Sequence, residues 1–477
     1  MSIVPVGLIL LPLGPLLFVW GRRALLWATI ASIPFFLVVL IELPFAPIRA
    51  FQYFGGLLIV RHFFDRCIQG RLRFQKSYAT LTALLFVVTV SVSIFMPALI
   101  TQPVYVAPEG IPSVADAYAN MVELEFDLSN LTQILYPVFG TLLFFVLQAN
   151  LRREEDLRRL IQVFLVAFVG LIVFSAVYIA LDLVGGGAIM DFIFTLFSNK
   201  EDASYSSYNA LGGIVRAYTP AGEPGYTGVY YIIILSLLFG LKFGGYTGGW
   251  KPRGMYFLLI LSFVGIITNA STTAYFGVVC LVLSFLMIAF LRKSRGMTSD
   301  RSTKIVFRFA VVSAIGGAGA FVVLQAAGIS VAQYLFEQHI AKLTEEAGSG
   351  AIRLLSVQYS LNEVFSASPL LGVGYGSHRA LSLLVYLPAN IGVIGFGTFL
   401  LFNGVVFGRA IRVVNYSSSS ELASIAFACA VAQSTLLATL LVAKSETSLS
   451  FGWLWAILAV MEATRRIHER RERAITS

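Results

Sequence analysis

Residues 353–397 read RLLSVQYSLNEVFSASPLLGVGYGSHRALSLLVYLPANIGVIGFG. The first part has helical periodicity: Leu354, Val357, Leu361, Val364 and Phe365 recur on one stripe, while Arg353, Ser360, Asn362 and Glu363 stay off it. That spacing predicts a helix lying along a surface. Pro369 ends it, and Gly372, Gly374 and Gly376 permit a tight, close-packed turn. Ser377, His378 and Arg379 follow where an apolar run resumes. Cationic and titratable side chains are therefore held at the boundary of an apolar layer. Two readings remain open: a loop packed back onto the protein with its arginines snorkelling to water, or a set of cations placed to meet a ligand.

The apolar layer is a membrane. Hydrophobic residues make up 57% of the 477, charged residues 12%, and the mean hydropathy is +0.82, far from a soluble composition. Apolar runs long enough to cross the hydrocarbon recur along the whole chain. The expected fold is all-α: a single polytopic transmembrane domain over 1–477. Its helices are expected at 3–20, 24–41, 44–60, 78–98, 131–149, 160–183, 226–243, 254–270, 272–291, 305–328, 381–407, 421–443 and 449–464, a bundle of about 12 to 13. No basic residue precedes the first run, and Arg22 and Arg23 follow it, so it reads as a transmembrane helix and not as a secretory signal.

Alternating these helices places 27 of the 34 lysines and arginines on one side, in clusters from Arg22 to the tail at Arg473. The other side keeps Arg49, Lys200, Arg216, Lys342, Arg353, Arg379 and Lys444. The rich side is then cytoplasmic, with the amino terminus outside and the carboxyl terminus inside. The net charge of +9 follows from this arrangement, and nucleic acid is not expected as a partner. Three separated cysteines make neither a disulfide framework nor a zinc pattern. No phosphate loop, His-Glu-x-x-His or Gly-x-Ser-x-Gly motif is present. Asp182 and Glu462 are placed at helix ends, leaving the helix centres almost free of ionisable groups and arguing against an ion-coupled relay.

Three outer segments exceed a turn: 99–130, 185–225 and 329–380. The first holds Glu109, Asp116, Glu123, Glu125 and Asp127 without a basic residue and reads as a solvated acidic cover. The second ends in Arg216-Ala-Tyr218-Thr-Pro-Ala-Gly-Glu223-Pro-Gly-Tyr226-Thr-Gly at a helix start. An anion there would meet Arg216 and free helix amides; alternatively Arg216 simply pairs with Glu223. The third adds Arg353 and Arg379, with His339 on an ordinary amphipathic surface. His378 is either a base that takes a proton from a substrate hydroxyl or a packed structural histidine. Arginines from separate loops on one face suit a polyanion anchored in lipid, since each guanidinium matches phosphate oxygens in pairs.

The order of these motifs resembles the bacterial O-antigen polymerase and O-antigen ligase superfamily, membrane glycosyltransferases of the C type. Arg216 before Gly-Glu-Pro-Gly-Tyr is similar to that family's arginine before a Glu-Pro helix start. Asn269-Ala-Ser-Thr-Thr273 resembles its polar break between helices, without the arginine often found there. Arg353, Pro-Leu-Leu-Gly-Val-Gly-Tyr-Gly376 and Leu387-Pro-Ala-Asn-Ile-Gly-Val-Ile-Gly395 resemble its signature region. The match covers residues 205–407. It implies glycosyl transfer from an undecaprenyl-pyrophosphate-linked saccharide with neither a cofactor nor a metal, in the bacterial inner membrane. Membrane lipids and a polysaccharide chain-length regulator would be partners. Ligases of this family often carry a His-Asn pair in a longer segment where His378-Arg379 stands here, which favours the polymerase branch. Arg216, Arg353 and Arg379 would bind pyrophosphate, His378 or Glu223 would be the base, and Tyr218 and Tyr226 would contact sugar. The alternatives are a ligase acting on lipid A core and a flippase for lipid-linked saccharides.

Overall fold

The computed structural model describes residues 2–43, 47–70, 77–108, 114–197, 210–211, 214–215, 219–222, 224–246, 252–269, 271–293, 322, 349–443 and 448–476. Six helices among the described residues are long and apolar enough to cross a membrane: Leu128–Asn150, Glu154–Asp182, Pro224–Gly244, Thr272–Leu291, Leu383–Tyr416 and Ser420–Val442. Three shorter apolar helices, Pro5–Trp20, Tyr78–Ser93 and Arg253–Asn269, accompany them. The expected span 305–328 lies outside the described residues except for Val322.

In chain order the helices are α1 (Pro5–Trp20), α2 (Arg22–Ser32), α3 (Ala50–Ile68), α4 (Tyr78–Ser93), α5 (Met96–Leu99), α6 (Val114–Ala119), α7 (Leu128–Asn150), α8 (Glu154–Leu183) and α9 (Gly187–Thr195). They continue with α10 (Pro224–Gly244), α11 (Pro252–Asn269), α12 (Thr272–Lys293), α13 (Ser349–Tyr359), α14 (Leu383–Tyr416), α15 (Ser420–Ala443) and α16 (Gly452–Thr476). One continuous apolar core runs from Leu25 on α2 to Ile467 on α16.

The described chain is almost entirely helical, as the all-α expectation has it, with a few short strands added at the loops. The expected spans 24–41 and 44–60 are not two continuous helices: α2 stops at Ser32, and α3 begins only at Ala50. Between them β2 (Val39–Glu42) pairs antiparallel with β1 (Ser2–Ile3) on one edge and β3 (Pro47–Arg49) on the other. Val38, Val39, Ile41 and Ile48 are β-branched, and Pro44 and Pro47 punctuate the run. That chemistry favours a pleated edge over a helix. Two-residue pairings also join β4 (Tyr105–Val106) to β5 (Val122–Glu123) and β6 (Ala210–Leu211) to β7 (Ile214–Val215).

Three of the basic clusters expected to share a side, at 152–159, 409–412 and 465–473, meet at one end. Arg158 pairs with Glu421 at 2.8 Å, Arg471 with Glu154 at 2.6 Å, and Arg409 with Glu462 at 3.0 Å. Arg409 also reaches Ser77 Oγ at 3.3 Å, and Arg466 donates to the Gln148 carbonyl at 2.9 Å. These contacts gather the ends of α4, α7, α8, α14, α15 and α16 into one basic end. The three-stranded sheet, the 105–123 hairpin, α6 and the 366–382 turn gather at the other, the loop end.

Glu462 does not close a helix, as the sequence suggested. Helix α16 continues to Thr476, and the carboxylate is buried between Arg409 and Arg465.

Candidate functional site

The loop end is organised by the break in α14. Gly392 has φ +65°, and a Cβ there would come within 2.1 Å of the Leu370 carbonyl, so only glycine fits without backbone movement. The break frees the Ala389 and Asn390 carbonyls from helical bonding. Val373 and Gly374 take them through their N–H groups, at 2.9 and 3.0 Å. In return Val393 donates to the Pro369 carbonyl at 2.9 Å. The irregular backbone is tolerable among apolar helices because it is bonded to protein on both sides. Gly372, Gly374 and Gly376 all have positive φ, as the expected close-packed turn requires. Asn130, which closes a reciprocal cap at the start of α7, secures that turn: its Nδ2 donates to the Tyr375 carbonyl at 2.9 Å and to Ser377 Oγ at 2.7 Å.

The amphipathic helix forms, with a π-helical turn, Ser360–Phe365, after α13. Its two faces differ from simple expectation. Ser356 and Ser360, off the apolar stripe, point into the protein and are buried. Leu354 is exposed, while Val357, Leu361 and Phe365 line an outward-opening apolar groove of about 480 Å³. Leu381, Leu384, Val385, Pro388 and Phe396 from the α14 region form another wall, and Leu441 and Val442 of α15 close it; Arg353 and Ser382 are the polar lining residues. Arg353 is exposed and Arg379 half-buried.

Arg353 and Arg379 are brought to adjoining elements through Ser356, one turn from Arg353. Tyr118 donates to the Arg379 carbonyl at 2.8 Å and its hydroxyl lies 3.0 Å from Ser356 Oγ, which the Leu381 N–H reaches at 3.1 Å. The Arg379 N–H also donates to the Ala107 carbonyl at 2.8 Å. The acidic 99–130 segment is thus more than a solvated cover, because Ala107 and Tyr118 fix the backbone at Arg379.

His378 is not placed as a base. It has no exposed surface; its Nδ1 accepts from the Ala107 N–H at 3.2 Å, and Nε2 lies 2.8 Å from Ser360 Oγ. Nδ1 accepting fixes the proton on Nε2, so neither nitrogen has a lone pair open to a substrate. Burial pushes the ring pKa down to about 3. Asn390 clamps the backbone of the same residue, accepting from its N–H at 2.9 Å and donating to its carbonyl at 2.8 Å. The ring and backbone of His378 are thus both held within the protein, beside Arg379.

Arg216, Tyr218 and Glu223 lie outside the described residues, as do His339 and Glu109. The neighbouring 219–222 turn is tightly built. Thr219 and Gly222 exchange backbone bonds at 3.2 and 2.9 Å, Thr227 Oγ1 donates to the Gly222 carbonyl at 2.9 Å, and Leu37 donates to the Pro220 carbonyl at 2.9 Å. Asn269, from the polar break between α11 and α12, donates to the Pro224 carbonyl at 2.6 Å, so this break packs on the α10 start. Tyr226 packs against both Phe36 and Phe451, with ring centroids 5.6 and 5.3 Å away.

Sequence reasoning counted Arg49 among the outer cations and gave it no role. Its guanidinium lies 3.9 Å over the Phe36 ring, with the Tyr136 and Tyr226 hydroxyls as its polar neighbours. Nε and Nη1 have no accessible surface and no hydrogen-bond partner, and no carboxylate among the described residues faces the group. Burial pushes its pKa down from the ordinary arginine value. A desolvated cation–π contact contributes about 2 kcal/mol, whereas an ion left unpaired out of water costs several. The ring contact does not offset that cost. An isolated arginine in a short loop carries no local pattern; the available signal was its lying on the side that has few cations.

Among the described residues no group of His, Cys, Asp and Glu is arranged to hold a metal. Comparison with known proteins finds no family model and no curated sequence that matches the chain.

Proposed function

We propose that the protein joins saccharides carried on a polyprenyl pyrophosphate, polymerising undecaprenyl-pyrophosphate-linked repeat units at the periplasmic face of a bacterial inner membrane. The observation that carries this reading is the apolar groove with Arg353 at its polar margin and Arg379 fixed one hydrogen-bond relay away. An isoprenoid tail suits the groove walls, and a phosphate suits a guanidinium at their edge. The resemblance of the 353–395 motifs to the O-antigen polymerase and ligase superfamily supports the same substrate class.

In the proposed step an acceptor sugar hydroxyl attacks the anomeric carbon of the donor and inverts it. The new C–O bond forms as the bond to pyrophosphate breaks, and the lipid pyrophosphate leaves with the electron pair. Arg353 and Arg379, joined by Arg216 from the second loop, neutralise the departing charge. The hydroxyl proton goes to Glu223, since His378 has no free lone pair. Orientation by the groove adds to the rate.

The test is reconstitution of the purified full chain with a lipid-linked repeat unit. A ladder of longer lipid-linked products supports polymerisation. Transfer to lipid A core makes the protein a ligase, and movement across the bilayer without new glycosidic bonds makes it a flippase; either overturns the proposal.

A further inference from the structure

We infer that Arg49 anchors an anion site at the start of α10, taking a phosphoryl group whose charge no described residue supplies. Three elements build the site. Arg49 is the residue before α3, pinned by its own N–H to Gln52 Oε1 at 3.0 Å and by the β2–β3 pairing. Helix α7 brings Tyr136 to the guanidinium, and the α10 start brings Tyr226. Phe36 covers the face of the guanidinium plane and is itself tied to the 219–222 turn, because the adjacent Leu37 N–H bonds the Pro220 carbonyl.

Two donor nitrogens are held away from water and have no acceptor among the described residues. Arginine nitrogens held out of water are normally satisfied by a carboxylate or by carbonyl groups, so two such nitrogens on one half-buried guanidinium, with no acceptor among the described residues, point to an oxyanion. Helix α7 also links this site to the groove side. Gln133, one turn from Tyr136, packs against Gly376, and its Oε1 is buried without a partner. The phosphoryl group could come from a lipid headgroup or from free pyrophosphate. The choice of pyrophosphate as carrier rests on the proposed function; the anion site does not.

The experiment is thermal unfolding of the purified full chain in two arms, in detergent with inorganic pyrophosphate and in phosphatidylcholine nanodiscs with or without a polyprenyl phosphate. The wild type is expected to be stabilised by the polyprenyl phosphate. Stabilisation by pyrophosphate as well identifies the phosphoryl group as sufficient, and stabilisation in neither arm overturns the inference. Arg49→Met is expected to lose the ligand-induced shift while its unliganded midpoint is unchanged or raised, because an uncompensated charge has been removed. A lowered unliganded midpoint with the ligand shift intact would make Arg49 a structural residue. Arg49→Lys keeps the charge without the planar fork and should need about tenfold more ligand; wild-type affinity in that variant overturns the inference. Phosphate binding that depends on Arg49, in a protein that makes no saccharide ladder, would retain this site while removing the sugar-joining proposal.

Discussion

Arg49 and Arg409 are both arginines drawn out of water, at opposite ends of the bundle, and they differ in what meets them. At the basic end Glu462, 1% exposed, takes Arg409 at 3.0 Å and Arg465 at 2.6 Å, and Arg465 also reaches Glu469. At the loop end Arg49 has an aromatic ring, two neighbouring tyrosine hydroxyls and two unanswered nitrogens. Carboxylates of the chain complete the first set, and no described residue completes the second. A complete ion network records how the helices are fastened; an incomplete one marks where something from outside belongs.

The most severe way to break the contrast is to make the basic end incomplete too. Glu462→Leu leaves Arg409 and Arg465 without their shared carboxylate and should cost about 3–5 kcal/mol, read as a large drop in the thermal midpoint of the detergent-solubilised protein. Replacing Arg409 and Arg465 by leucine in the same chain should recover most of that loss. If Glu462→Leu is harmless, the network is not what fastens α14 to α16.

The contrast sharpens when function is read in place of stability. Arg353→Ala should leave the midpoint near wild type, since the side chain is exposed, but slow saccharide joining by about 10²–10³-fold if it neutralises leaving-group charge. Arg353→Lys should recover only part of the rate. The readout is product length against time with a lipid-linked repeat unit, and an unchanged rate in Arg353→Ala would remove the groove from the mechanism.

Gly392→Ala tests the framework between the two ends. The new Cβ meets the Leu370 carbonyl at 2.1 Å with φ at +65°, and strain of about 1–3 kcal/mol is expected. Both stability and the joining rate should fall, because the 370–379 turn is bonded to this break. Gly397→Ala, where a Cβ meets nothing within 4 Å, is the matched control and should be silent.

Much of this framework was legible in the sequence. The amphipathic stripe of 354–365, the three glycines of the turn and the collection of basic clusters at one end all follow from local spacing and charge. The strands at 39–49 were not, because a continuous apolar run reads equally as helix or strand; the β-branched residues and flanking prolines were the usable signal. His378 was legible as a residue of importance but not as to its role. Its partners Ala107 and Tyr118 lie more than two hundred positions away in the chain, and no local spacing reports them. Arg49 was hidden for the same reason: its meaning comes from what does not approach it.

The buried ring gives the next effect. With a folded pKa of about 3 against an unfolded value near 6.5, His378 binds more protons in the unfolded chain between these two values. Its contribution is therefore full above pH 6.5 and is lost as pH falls toward 3, by about 1.4 kcal/mol per pH unit. Unfolding midpoints measured across that window should decline with acid, and His378→Gln should flatten the decline while lowering stability at pH 7. A joining rate that instead follows a titration near pH 6.5, and loses it in His378→Gln, would restore the histidine as a base.

Tyr118→Phe is the gentlest change and discriminates most closely. It removes one hydroxyl that holds Ser356 at 3.0 Å and the Arg379 carbonyl at 2.8 Å, and nothing charged is disturbed. The stability cost should be about 1 kcal/mol. If Tyr118 only caps the loop, that is the whole effect, and donor affinity and joining rate stay at wild type. If it sets the separation of Arg353 and Arg379 across the groove, the joining rate should fall by more than the stability loss explains. The same variant should leave the pyrophosphate response through Arg49 untouched, because Arg49 meets Tyr136 and Tyr226 and not Tyr118. A Tyr118→Phe protein that loses the Arg49-dependent response would show that the groove and the Arg49 site are one site, and the comparison between a complete and an incomplete end would then have to include all three arginines together.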